Sequence, residues 1–555
     1  MKKSPVLQIF LKSKKKLALY IVFNFFATAT FVGLSYVMQL LVDVGANDFD
    51  FFWYMLAIAV GYIIILSVFA FVNYRLVYSF YLDYERDLRR ELYNAIDALN
   101  YEEFHSVEVS AYISRILTDA SKVSDQFYYQ IMMLYDEAWT FIFSAILAFF
   151  INWIIALIMI GFGLIVFLLP IIFAKRLNKQ NLQHSEAVEG YVNELQKALG
   201  AHDLYKAYGV SLKYQKQLDE VNNNRFYKTR AYWWTISDLN SWNILIIVSL
   251  QIISLALGVW FAHLDMISSG AVLAVVTVSS TMLNPLNVIA SRITNIRASK
   301  GIVEILDAIL LKKIPEILHP NLFFTDQIEL RNVSYIKEEK MILADINLTI
   351  KKNKRYLFLG SSGSGKTTLM RVIAKMVTPT SGFISMDDID YREVQWGQLS
   401  EHYAYVNQDF EYANSSIRDN IDIAGTNNET LFEAAISFSC LNREHFNRSF
   451  DLMPSDLVDK PLSGGEKQRI NIARAIYRDV NPLLFDEVTA SLDKKTESII
   501  LNNIVSLEAK TLIHIAHKVT RKFAQTFDYT VVLHEGKIIF NGKCDDSVCL
   551  DKFLI

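Results

Sequence analysis

The sequence predicts a two-part chain, a bundle of six membrane-spanning α-helices followed by an α/β domain. Three observations carry this. Long stretches free of Asp, Glu, Lys and Arg recur through the first 300 residues. Beyond residue 326 the composition turns to short β-rich and turn-rich segments. Within that second part, a buried strand runs directly into a glycine-rich loop and then an apolar helix.

The bulk properties agree. Of 555 residues, 52% are hydrophobic and 13% aromatic, and the mean hydropathy is +0.22, which is apolar for a soluble protein of this size. The formal charge of -3 is close to balance, so no global field favours nucleic acid as a partner. The three cysteines, Cys440, Cys544 and Cys549, are too few and too clustered for a disulfide framework and lack zinc-ligand spacing. They read as reduced thiols.

Crossing a bilayer takes about 20 apolar residues in a helix. Leu17 to Val42 and Phe51 to Tyr74 are two such stretches, and Ala138 to Ala174 is long enough for two more with a reversal at Asn152-Trp153. Leu239 to Leu264 and Met266 to Ser291 complete the six. The first stretch exceeds a signal-peptide core and is followed by five others, so it is expected to be a membrane span and not a cleaved leader. Lys and Arg set the orientation. The tail before Leu17 is basic, whereas Asp43 to Asp50 holds three acids and no base. Arg75, Arg86, Arg89 and Arg90 follow the second span, Lys175 and Arg176 the fourth, and Arg292, Arg297 and Lys300 the sixth. The N-terminus and everything after Ser291 are therefore expected on the cytoplasmic side of the cell membrane. The expected divisions are a basic cytoplasmic segment at 1–16, a membrane domain at 17–300, a linker at 301–326 and a nucleotide-binding domain at 327–555. The two long cytoplasmic connections have helical periodicity, so the membrane helices should extend beyond the bilayer.

The strand Tyr356 to Leu359 enters the loop Gly360-Ser361-Ser362-Gly363-Ser364-Gly365-Lys366-Thr367-Thr368. This spacing places glycines where backbone N–H groups wrap phosphates, Lys366 against the β- and γ-phosphates, and the Thr367 hydroxyl on magnesium. It is the P-loop of an NTPase. Pro482 to Phe485 is a second buried strand that ends in Asp486-Glu487. An acid at a neighbouring strand end holds magnesium in such enzymes, a role that fits Asp486 and leaves Glu487 to polarise the attacking water.

Between these elements lies Leu462-Ser463-Gly464-Gly465-Glu466-Lys467-Gln468-Arg469. It resembles the signature motif of ATP-binding-cassette (ABC) proteins. Gln408, the turn Ser491-Leu492-Asp493 and His517 follow in the order that family uses. With six spans ahead of the nucleotide domain, nearly the whole chain resembles an exporter-type half-transporter. The resemblance implies that Gln408 touches magnesium and senses the membrane domain, and that His517 contacts the γ-phosphate. It further implies that Leu462, Ser463, Gly464, Gly465 and Glu466 close on ATP held by a partner subunit, and that Asp493 couples the two sites. ATP and Mg2+ are the implied cofactors, and a second half-transporter, identical or different, is the implied partner. Short helices in the cytoplasmic connections press on the nucleotide domains in that family; the matching segments here are Ser110 to Thr118 and Gly200 to Tyr208.

The sequence departs from the family pattern at three places. Lys337 stands where an aromatic usually stacks on adenine, which leaves Tyr335 either as the stacking ring or as a core aromatic. Glu466 replaces a commoner glutamine, and Pro454 to Pro461 is unlike the usual acidic contact segment. The expected function is ATP-driven export of an apolar or amphipathic compound, a lipid, peptide or drug-like molecule. The alternative is import of a siderophore or haem-like chelate by the same architecture. The spans carry Asn24, Gln39, Asn240, Asn243, Gln251, Asn284 and Asn287 but few or no charges, which points to apolar cargo and to amides that hold helices together.

Overall fold

The computed structural model describes residues 4–47, 49–312, 323–407, 413, 415–442, 446, 449–453 and 462–544. It forms two compact units, one of Met1–Asp97 with Ser110–Lys312, the other of Ala98–Val109 with Lys313–Ile555.

The first unit is helical. A short helix α1 (Pro5–Lys12) precedes α2 (Lys14–Asn47) and α3 (Phe49–Asp97). After α4 (Tyr101–His105), which belongs to the second unit, come α5 (Val109–Ile151), α6 (Trp153–Gly200), α7 (His202–Ala207), α8 (Ser211–His263), α9 (Ser269–Ala298) and α10 (Lys300–Leu310). Among the described residues six helices are long and apolar enough to span a membrane: α2, α3, α5, α6, α8 and α9. Helices α3, α6 and α8 have 49, 48 and 53 residues. At about 1.5 Å per residue they exceed a roughly 30 Å hydrocarbon core twofold, so each projects far into water, as the helical pattern of the connections requires.

Local chemistry sets the helix ends. Asn152 has extended backbone, and its Oδ1 accepts the N–H groups of Ile154 at 2.9 Å and Ile155 at 3.3 Å, which reverses the chain between α5 and α6. Asp43, near the end of α2, accepts from Ser268 Oγ at 2.5 Å and Gly270 N–H at 2.7 Å, supplying an anion to the N-terminus of α9. A side chain at Gly270 would collide with the Gln39 carbonyl. The basic N-terminal segment has a buried face. Ser4 caps α1, Pro5 opens it, and Val6, Ile9 and Phe10 are buried at helical spacing. Phe10 stacks on Tyr128 with centroids 4.3 Å apart. The expected linker also starts as structure, since α10 occupies Lys300–Leu310 and the Val6 N–H donates to Asp307 at 3.0 Å.

The membrane amides join helices. Asn243 of α8 donates to Asn287 of α9 at 2.5 Å, and Gln251 donates to Ser280 at 2.5 Å. Charges stand just outside the apolar stretches marked from sequence. Asp136 and Glu137 lie within α5 and Arg292 within α9, and packing brings them together: Arg292 pairs with Glu137 at 2.9 Å.

The second unit contains two sheets. The smaller has the order β2-β1-β4-β5, from β1 (Gln327–Lys337), β2 (Lys340–Lys351), β4 (Ser381–Met386) and β5 (Ile389–Asp390), all antiparallel. The larger has β3 (Arg355–Gly360), β6 (Ala404–Val406), β7 (Leu483–Asp486), β8 (Leu512–Ile515), β9 (Tyr529–His534) and β10 (Lys537–Gly542) in the order β10-β9-β3-β8-β7-β6. All its neighbours are parallel except β10 on β9. Central strands buried on both faces are continuous apolar runs. Thus Tyr356 to Leu359 and Leu483 to Phe485 are fully buried, and each large side chain contributes about 1.5–3 kcal/mol on burial.

Helix α4 packs into this unit. Its N-terminus carries a reciprocal capping box between Asn100 and Glu103. Glu102 accepts the Tyr335 hydroxyl at 3.1 Å and the Thr378 N–H at 3.3 Å, while Tyr101 meets Trp396 edge-on at 5.7 Å. The segment of the first connection that belongs to the second unit is Tyr101–His105. Ser110 to Thr118 lies in α5 of the helical unit, where a π turn spans Arg115–Asp119. In the second connection, α7 occupies the expected Gly200 to Tyr208 segment.

Candidate functional site

Parallel strands end together, so the loops after β3, β7 and β8 share one edge of the larger sheet. The loop after β3 is shaped by crowding. A Cβ on Gly360 would meet the Leu533 carbonyl oxygen, and Gly365, at φ 100° and against Ile342 and Leu343, admits no side chain without strain. Gly360, Ser361, Ser362, Gly363, Ser364 and Gly365 thus curl into the N-terminus of the helix Lys366–Ile373, which also carries Thr367 and Thr368. Lys366 is only 4% exposed, and its ammonium donates to the Gly360 and Ser361 carbonyls at 2.8 and 3.0 Å. Burial lowers its pKa, against the pull of Glu487 and Asp486. Ser364 is buried with its hydroxyl unpartnered.

Asp486 ends β7 beside this loop. Its Oδ1 accepts the Thr367 hydroxyl at 3.2 Å, and its Oδ2 accepts the Tyr405 hydroxyl at 3.1 Å. Burial raises the Asp486 pKa although both donors favour the charged form. A carboxylate and a hydroxyl oxygen converging here form a hard-oxygen donor pair of the kind Mg2+ takes, and the buried ammonium and curled N–H groups complement phosphate. The residues present fit a magnesium nucleotide.

Glu487 follows with left-handed backbone, φ 52°, its N–H directed to the Ile515 carbonyl at 3.3 Å. A non-glycine residue in this region is uncommon and marks a constrained site. His517 Nε2 lies 2.7 Å from Glu487 Oε1, the imidazole N–H donating. The strand ends therefore gather Lys366, Thr367, Asp486, Glu487 and His517 as expected from sequence.

The signature residues occupy a separate helix start. Leu462 is buried, and Ser463 caps the helix Gly464–Tyr477 in a reciprocal box with Glu466, whose Oε2 accepts the Ser463 N–H at 2.8 Å. A carboxylate at this position is thus accounted for by capping. Gly464 and Gly465 pack on Ser491, leaving little room for a Cβ at Gly465. Asp493 caps the helix Lys494–Val505 by accepting the Thr496 N–H at 3.0 Å, which lowers its pKa. Gln408 and the segment 454–461 lie outside the described residues.

Tyr335 is corrected by its surroundings. It is 7% exposed within the core between the sheets, and Glu102 holds its hydroxyl. A ring enclosed in this way has no free face for a base, so the core reading of Tyr335 stands. Tyr405 is the residue that sequence reasoning missed. It sits on β6, paired in parallel with β7, which carries its hydroxyl to Asp486. A tyrosine in the short strand just before Gln408 was the available signal.

Two family models match the chain, one described as the ABC transporter transmembrane region over residues 17–286 and one as ABC transporter over residues 343–490. The chain belongs to the ABC transporter family. An uncharacterized ABC transporter ATP-binding protein of Bacillus subtilis is 24% identical over 490 residues, 84% of this chain and 82% of the relative. The ATP-dependent lipid A-core flippase of Francisella novicida is 24% identical over 506 residues, 87% and 83% of the two chains. The transport/processing ATP-binding protein ComA of Streptococcus pneumoniae is 35% identical over 217 residues, 38% of this chain and 30% of that protein. The fold matches a bacterial Atm1-family ABC exporter solved with ATP bound, at a TM-score of 0.80 and 19% identity, covering 97% and 96% of the two chains. This ABC transporter therefore has the exporter fold, six membrane helices joined to the family's ATPase domain, in a half-transporter architecture that implies dimerization in a membrane.

Proposed function

We propose that this half-transporter exports an apolar or amphipathic compound across the cell membrane, driven by ATP hydrolysis in a dimer. The observation that carries the ATPase part is the Glu487–His517 pair at 2.7 Å beside the Lys366 loop and the Thr367–Asp486 pair. Lys366 and the loop N–H groups bind and orient the β- and γ-phosphates. Thr367 and Asp486 would hold Mg2+, with Gln408 by resemblance, and the ion would neutralise charge on the phosphates. Glu487 accepts the proton of the attacking water, and His517 fixes the Glu487 carboxylate while reaching the γ-phosphate. Leu462 to Glu466 complete the partner subunit's site, and Asp493 links the two.

ATP moves the transporter only by binding the closed dimer better than the open one. The basic N-terminal segment and the arginines after the second span support a cytoplasmic N-terminus and nucleotide domain. Export is supported by the end-to-end likeness to an exporter fold and by relatives named as a lipid flippase and a peptide-processing transporter.

The test is transport by full-length protein in sealed inside-out vesicles supplied with ATP on the nucleotide-domain side. Labelled lipids, peptides and chelates offered on that side should enter the lumen, and Glu487→Gln should abolish the movement. Cargo preloaded in the lumen and driven out by ATP would instead establish import.

A further inference from the structure

The membrane unit carries a charge imbalance at one place. Arg292 of α9 is occupied by Glu137 at 2.9 Å and by Gln130 at 3.1 Å. Asp136, the next residue of α5, has no cationic partner among the described residues. Its Oδ1 accepts only neutral donors, Asn24 Nδ2 at 2.7 Å and Thr28 Oγ1 at 3.0 Å, both on α2. Two carboxylates and one guanidinium leave one uncompensated negative charge. A carboxylate drawn partly out of water without a cation beside it is costly. If the cluster served only to hold α2 to α5, an asparagine at 136 would accept the same two hydrogen bonds without that cost.

Asn24 is fully buried and commits its amide nitrogen to Asp136, so it braces that carboxylate from inside the helix packing. Asp136 itself is half-buried, so the site can be reached. One free carboxylate oxygen suits an N–H donor of an ammonium. It falls short of the six to eight oxygens of a Ca2+ site, and no metal-binding group of His, Cys, Asp and Glu occurs among the described residues.

The surroundings continue the match along the α2–α5 seam. Trp139, one turn beyond Asp136, packs with Phe25 at 4.8 Å and Phe143 at 5.3 Å, an aromatic wall of the kind that attracts cations. Past it, a groove of about 360 Å³ opens between the same two helices, lined by Ala29, Gly33, Tyr36, Phe143, Leu147 and Phe150. Its volume lies in the range of small-molecule sites, and Leu147 is about 16 Å along α5 from Asp136 at the helical rise.

We propose that Asp136, braced by Asn24 and Thr28, forms the head-group end of a binding site for a single-chain amphiphile bearing a primary ammonium, whose tail lies along the α2–α5 groove. This rests on the amphiphile-export reading and narrows its cargo to cationic heads. The test uses the full-length transporter in phosphatidylcholine nanodiscs without nucleotide and a dodecylammonium probe carrying a photoreactive diazirine in its chain. Labelling should map to residues 129–151 and 20–36 and be competed by dodecylammonium but not by dodecanol or dodecylphosphocholine. Asp136→Asn should raise the half-saturating probe concentration about tenfold or more, the scale of losing a hydrogen bond to a charged group, and Asp136→Glu should recover part of it. Leu147→Trp fills the groove and leaves the carboxylate, so it should weaken labelling by the dodecylammonium probe even though Asp136 is intact. Parental saturation in Asp136→Asn, or equal competition by dodecanol, would overturn the proposal; if Asp136→Asn does not fold, mapping and competition in the parental protein decide. Because no ATP is used, failure here leaves export standing, whereas binding at Asp136 without ATP-driven movement in vesicles would remove the export reading alone.

Discussion

Glu487→Gln separates binding from chemistry, because the structure shows what the substitution keeps. The backbone N–H of residue 487 bonds the Ile515 carbonyl whichever side chain is present. A glutamine Oε1 still accepts the His517 N–H now 2.7 Å from the carboxylate. Lys366, Thr367 and Asp486 are untouched, so ATP affinity should stay within about twofold, a few tenths of a kcal/mol. The amide cannot take a proton from water. Loss of a general base lowers the rate by roughly 10² to 10⁴, which at about 1.36 kcal/mol per tenfold is roughly 3–5 kcal/mol of barrier. ATP should then accumulate in closed nucleotide domains, read by crosslinking across their interface with ATP and magnesium. Ser463→Arg in the same background should abolish that crosslink while leaving nucleotide binding to the chain's own P-loop intact. Hydrolysis at the parental rate by Glu487→Gln, or crosslinking indifferent to ATP, would refute the assignment.

The remaining predictions use the same units. Tyr335→Leu removes the ring and its bond to Glu102 but keeps an apolar side chain, so the Michaelis constant for ATP should not change while stability falls by about 1–3 kcal/mol in denaturant unfolding; a raised constant would return the ring to the base. Asp486 has a raised pKa, so its charge destabilises the metal-free fold above that pKa. Asp486→Asn should therefore raise the thermal midpoint without metal at neutral pH, lose that advantage below the usual Asp range near about pH 4, and abolish Mn2+ binding measured by electron paramagnetic resonance. A cysteine at Gly45 should react with an impermeant thiol reagent from outside the cell and one at Ser185 should not; the reverse pattern would invert the topology.

Where backbone chemistry and local order carry the information, the sequence was legible. The strand, loop and helix around Lys366 are one contiguous segment, and Asp486-Glu487 announce themselves at the end of an apolar run. The reversal at Asn152 was readable because an amide cap interrupts one long apolar stretch. What escaped depended on tertiary pairing. Tyr405 matters because β6 lies beside β7, a neighbour relation no local pattern encodes. Tyr335 was left between two roles because burial on β1 depends on Glu102, over two hundred positions earlier in the chain. Asp136, Glu137 and Arg292 stood just outside the uncharged windows, and only packing of α2, α5 and α9 brings them into one cluster.

The placement of Ala98–Val109 within the second unit has a consequence for how the chain is made. Helix α4 leaves the ribosome long before the strands that receive it, and more than two hundred residues must be synthesised in between. At about 5–20 residues per second this is a wait of roughly 10–40 s. Over that interval Tyr101 and Glu102 lack Trp396, Tyr335 and Thr378, and the first cytoplasmic connection is a finished piece without its seat. A fragment starting at 327 would have the converse defect, a seat without its piece. The second unit therefore takes in a segment made before it, and the seat for that segment is complete once Trp396 has been synthesised.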